Sequence, residues 1–134
     1  MIGDPSPNAK TSARFAEPPW TEHSKPWRDL DEKLPPDHLA REVRDAMIHL
    51  DLAPLYRTYH GLGKAAHRPD LMLAMVLFEL RRGRPKPSQW HQDTQENYSL
   101  WWLGFGIQPS RTCWYAFRDR TASCLDTFNA TLLH

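Results

Sequence analysis

From Leu34 onward the apolar residues recur at helical spacing, with no sustained alternation of the kind a half-buried strand shows. PPDHLAREVRDAMIHLDL puts Leu39, Val43, Ala46, Met47 and Leu50 on one stripe, with Asp37 placed to cap the start. Residues 52–59 read as a short second helix, in which Pro54 falls in the tolerated first turn. Pro69 and Asp70 open a third, LMLAMVLFELRR, whose apolar residues fall on nearly every side. That distribution suits a central helix with others around it. Its leucines and methionines outnumber β-branched residues, which favours helix over buried strand. Gly83 and Pro85 end it, Ser88 is placed to cap a fourth helix through Glu96, and residues 98–103 read as another short turn. GFGIQP then breaks the chain before a last helix capped by Ser110. The pattern predicts an all-α, compact multi-helix domain, and its tight connections leave room for a helix-turn-helix-like arrangement.

The first 33 residues behave differently. Proline recurs, polar residues dominate and no period is visible, so residues 1–33 read as a flexible tail ahead of a domain over 34–134. Trp20 and Trp27 are isolated aromatics in it that are able to dock. The connector GLGKAAHRP sets glycines beside Lys64, but the phosphate-loop spacing is missing and no strand precedes it.

The last helix carries the clearest division of faces. With Arg111 at zero and about one hundred degrees per residue, Cys113, Trp114, Phe117, Cys124, Leu125 and Phe128 fall between roughly 200° and 320°. Arg118 at roughly 340° and Tyr115 at roughly 40° lie near Arg111, on a separate side. Arg111 and Arg118 then stand on the order of 10 Å apart along the axis. That spacing suits successive backbone phosphates or base edges in a groove. Ser110 leaves free amides and a positive dipole end just before them. A solvated arginine face and a protein-binding face fit the same geometry.

Charge sharpens this only locally. The formal net charge is +1, but residues 1–60 hold 8 Lys/Arg against 10 Asp/Glu (net −2) and residues 61–134 hold 9 against 6 (net +3). Arg81, Arg82, Arg84 and Lys86 supply four of those nine basic groups, a second candidate contact for nucleic acid. Arg81 and Arg82 also complement the dipole at the end of the third helix. Glu79 beside Arg82, and Asp119 between Arg118 and Arg120, read as charge-balancing surface residues.

Cys113 and Cys124 give no disulfide framework and read as small core residues, consistent with a reducing cytoplasmic setting. The histidines and cysteines lack the spacing of a metal site. Asp93, Glu96, Asp119 and Asp126 sit on short helices rather than on the strands that hold carboxylates around Mg²⁺. The longest apolar run, residues 71–78, is too short to span a bilayer. No cofactor, no metal and no catalysis by this chain are expected.

Three segments stand in order: LPPDHLAREVRDAMIHLDLAPLYRTY, RPDLMLAMVLFELRRGRPKPSQW and QPSRTCWYAFRDR. With them, residues 34–120 resemble the N-terminal domain of bacterial insertion-sequence transposases of the IS5 and IS1182 type. Asp37, His38 and Leu39 match the first helix entry of that family, Pro69 and Asp70 the entry to the apolar helix, and Ser110, Phe117 and Arg118 the late helix motif. The resemblance implies a helical module that helps hold transposon-end DNA, followed in full-length members by an RNase H-like domain with an acidic triad. Nothing here matches that triad, so it implies a truncated, non-catalytic, nucleoid-associated fragment. Its expected partner is double-stranded DNA, at insertion-sequence terminal repeats. Pairing with itself or with a full-length transposase, and a decayed gene product, are the alternatives. Lys86-Pro87-Ser88-Gln89-Trp90 departs from the Ser-Ser-Arg type start common at the fourth helix. Trp90, Trp101, Trp102 and Trp114 add aromatic weight beyond the family's pattern.

Overall fold

The structure is a computed structural model, and it describes residues 15–60 and 66–132. Among them run eight helices: α1 (Lys25–Lys33), α2 (Leu39–Met47), α3 (Ala53–Arg57), α4 (Pro69–Arg81), α5 (Pro87–Glu96), α6 (Tyr98–Leu103), α7 (Arg111–Thr121) and α8 (Leu125–Leu132). Extended pairing among the described residues is limited to an isolated bridge between Phe15 and Ala66. The chain is thus an all-α multi-helix domain, and none of its described helices is long and apolar enough to cross a membrane.

Helix α4 is the centre, as its unbroken apolar run requires. Pro69 and every residue from Leu71 to Glu79 are buried, and α2, α3, α5, α6 and α8 pack around it. Pro69 at its start needs no N–H partner. Gly83 adopts φ 77° at its end, where a side chain would be strained. Gly104, after α6, stands so close to α4 that an added Cβ would lie 2.6 Å from Met75 Sδ.

The reading of residues 1–33 as a loose tail is corrected from Phe15 onward; residues 1–14 lie outside the described residues. Trp27 is 5 % exposed on α1 and stacks on Trp102 and Phe105, at ring-centroid distances of 5.8 and 5.2 Å. Its indole N–H donates to the Trp102 carbonyl at 2.9 Å. Two arginines of α2 complete the joint. Arg44 lies over the Trp27, Trp102 and Phe105 rings at 5.3–5.5 Å. Arg41 donates to the carbonyls of Asp31, Leu34 and Pro35 and to the Asp31 carboxylate, satisfying acceptors that the end of α1 leaves open. Upstream, Trp20 packs over Gly106 (φ 84°), where a Cβ would stand 2.8 Å from the indole. Phe15 meets Tyr56 and Tyr59 edge-on. No local period marks these contacts, because their partners lie on or beside α2 and α3 and, for Trp27, some 75 residues downstream.

Three local expectations also change. His38, not Asp37, caps α2: its Nδ1 accepts from the Ala40 N–H at 3.0 Å, while Asp37 is exposed. The remaining ring N–H of neutral His38 then faces Ser99 Oγ at 3.4 Å. Lys86 holds the N-cap position of α5 rather than Ser88, with Pro87 following and Gln89 Oε1 accepting from the Lys86 N–H. The last helix is two helices. Thr121 turns its hydroxyl back to the Phe117 carbonyl at 2.7 Å, and a turn over residues 122–124 precedes α8. Cys124 and Phe128 still reach the core across this break, but Leu125 is only partly buried. Residues 61–65 of the glycine connector lie outside the described residues.

Candidate nucleic-acid interface

Helix α7 is seated by its apolar side. Phe117 and Trp114 are 0 % and 1 % exposed, and Trp114 meets Trp90 of α5 edge-on at 5.8 Å. Ser110 caps the helix by accepting the Cys113 N–H at 3.1 Å. These contacts fix the rotation of α7 and turn Arg111, Tyr115 and Arg118 outward. The guanidinium carbons of Arg111 and Arg118 lie 5.1 and 5.3 Å from the Tyr115 ring centroid. An Arg111 N–H donates to the Tyr115 hydroxyl oxygen at 3.1 Å. Arg118 also touches the Asp119 carboxylate at 3.2 Å, an exposed pair that holds it only weakly.

Helix α5 packs along α7 and brings its first turn to the same place. The hydrogen bond from Arg111 holds the Tyr115 phenol below its usual range, with smaller lowering from the Ser88 hydroxyl and the Arg118 charge. Lys86, just before α5, is exposed. Ser110, Arg111, Tyr115 and Arg118 therefore share a surface, with Ser88 beside them. Arg120 lies apart, its guanidinium 4.4 Å from the centroid of the buried Tyr59 ring.

The other predicted basic group divides. Arg81 is exposed at the end of α4. Arg82 donates to Glu79 Oε2 at 3.1 Å and lies over the Phe78 ring. Arg84 grips Asp93 with both prongs of its guanidinium, at 2.6 and 3.0 Å, and its carbonyl accepts the Trp90 indole N–H. This hydrogen bonding to Asp93 raises the Arg84 pKa. Arg82 and Arg84 are thus engaged with the carboxylates of Glu79 and Asp93 and tie α4 to α5.

Glu79 corrects another expectation, since it pairs with Arg82 but is no surface residue: it is 1 % exposed. Burial, with Asp93 beside it, pushes its carboxyl up to about 8. Burial also works against charge on Asp93, yet hydrogen bonds from Glu79 and Arg84 bring that carboxyl below its usual range. The signal was in the sequence. A helix apolar on all sides has no solvent face on which to place an acid.

Cys113 and Cys124 are both free, half-buried and buried respectively. Among the described residues, no group of three His, Cys, Asp or Glu side chains is placed to hold a metal ion. No family model matches the sequence, and comparisons with curated proteins and with solved structures give no significant match.

Proposed function

We propose that this chain is a non-catalytic DNA-binding module whose α7 face lies against double-stranded DNA, in the manner of an insertion-sequence end binder. The observation that carries the reading is the outward cluster of Arg111, Tyr115 and Arg118 on a helix locked from behind by Trp114 and Phe117. Two guanidiniums braced on one ring keep their charge at the surface with restricted freedom, which lowers the ordering cost of contacting phosphates. Ser110 sets the free amides and positive end of α7 beside them. Lys86 and Arg81 extend the positive surface. In this reading α7 is the helix turned toward the groove, with α5 packed along it in a helix-turn-helix-like arrangement.

The test is a salt titration of duplex binding by the wild type and the Arg111→Ala/Arg118→Ala variant, with circular dichroism to check the fold. If both arginines contact phosphates, the slope of log affinity against log salt falls by about two. A loss confined to duplexes carrying a terminal repeat assigns them to base edges instead. Identical binding curves for the two proteins overturn the reading.

A further inference from the structure

The Glu79 side chain is an anomaly that the basic face does not explain. It sits in the innermost helix at 1 % exposure, yet only Oε2 has a partner, the Arg82 guanidinium. Oε1 is buried and unpaired. A buried carboxylate oxygen without a donor is costly, and the fold offers Glu79 no second donor. What it does offer is a neighbouring acceptor: the same Arg82 nitrogen stands 3.1 Å from Glu79 Oε2 and 4.0 Å from Asp93 Oδ2, which sets the Asp93 carboxylate of α5 next to Glu79. Asp93 is itself held as a carboxylate by both prongs of Arg84.

We propose that Glu79 and Asp93 hold one proton between them, on Glu79 and donated to Asp93, and that its release to solvent is a switch loosening the seat of α5 on α4. With the proton present, Glu79 bridges the two helices and Asp93 stays ionised between Glu79 and Arg84. With it gone, two carboxylates face each other where one of them has almost no access to water.

The surrounding charges set the direction. Arg82, at the end of α4, touches Glu79 and stands 4.0 Å from Asp93. Arg84, in the connection to α5, is committed to Asp93. From α5, Glu96 adds negative charge near Arg84. From the start of α2, His38 lines the same open cavity of about 460 Å³ as Arg82, Asp93 and Glu96, together with Tyr98 of α6. The two arginines favour the ionised pair, but burial and the Asp93 charge outweigh them and push the Glu79 carboxyl up to about 8. A proton retained by the folded chain and lost by the unfolded one makes stability fall as pH rises. The fall begins in the ordinary glutamate range and is complete above about 8.

This inference does not rest on DNA binding.

The experiment follows the side-chain carboxyl ¹³C resonances of the full chain from about pH 4 to about pH 9, with thermal melts of wild type and Glu79→Gln over the same range. Glu79 should titrate far above the exposed glutamates, and the wild-type melting temperature should fall toward alkaline pH. Glu79→Gln keeps a donor for Asp93 without a titrating proton, so it should lose that fall. His67, which burial shifts downward, is common to both proteins and cancels in the comparison. Titration of Glu79 together with the exposed glutamates, or the same pH slope in both proteins, overturns the proposal. Should Glu79→Gln not fold, the wild-type carboxyl titration decides alone.

Discussion

Two clusters of arginine belong to this domain, and they do opposite things. Arg82 and Arg84 face inward to the carboxylates of Glu79 and Asp93, and their charge is consumed in joining helices. Arg111 and Arg118 face outward around Tyr115, and the nearest carboxylate, Asp119, is 71 % exposed and holds little. In sequence the first cluster is the denser, yet it reads only as a second candidate for nucleic acid. What separates them is the burial of the neighbouring acids. A carboxylate in low dielectric keeps its arginine; one in water leaves it available.

The largest effect should come from removing what orients the outward cluster. Phe117→Ala deletes a ring with no exposed surface and should cost about 3–5 kcal/mol. That is a large part of the 5–15 kcal/mol that stabilises an ordinary domain. Urea denaturation measures it, and a loss under about 1 kcal/mol would show that α7 is not seated on this ring.

The exchange of roles between the clusters is the next test. Arg84→Ala should lower the melting temperature, since Asp93 loses both of its guanidinium bonds at a site only 13 % exposed. Its duplex affinity, measured well below the melting point, should change little. Arg111→Ala should do the reverse: an unchanged melting curve and about a tenfold weaker duplex at low salt. Equal effects of the two substitutions on either measurement would erase the distinction.

The sequence made the outward cluster legible and hid the inward one. Helical period set Arg111, Tyr115 and Arg118 on one side and Trp114 and Phe117 on the other, and the structure has that division. The central place of α4 was equally readable from its uninterrupted apolar run. Helix α1 was not. Trp27 is held by Trp102, Phe105 and Arg44, so nothing within its own proline-rich neighbourhood announces a core residue. The pairing of Glu79 with Asp93 failed for a related reason. Spacing along one helix showed Glu79 beside Arg82, whereas burial in the centre of the fold and an acid from the next helix raise its pKa.

The smallest effect separates the clusters most finely. Asp119→Asn and Asp93→Asn make the same chemical change, each removing a carboxylate from beside an arginine. Asp119 is exposed, so its loss should alter stability by less than about 0.5 kcal/mol. It should also release Arg118 from its weak partner and remove a negative charge from the face turned to DNA, strengthening duplex binding severalfold at low salt, with the gain fading as salt screens it. Asp93→Asn should instead strip Arg84 of its ionic partner and leave Glu79 only a neutral amide oxygen beside it, and lower the melting temperature with no gain in duplex affinity. Paired melts and low-salt binding curves of the two variants measure both halves. Tighter binding by Asp93→Asn, or none by Asp119→Asn, would mean that the arginine facing DNA had been assigned to the wrong cluster.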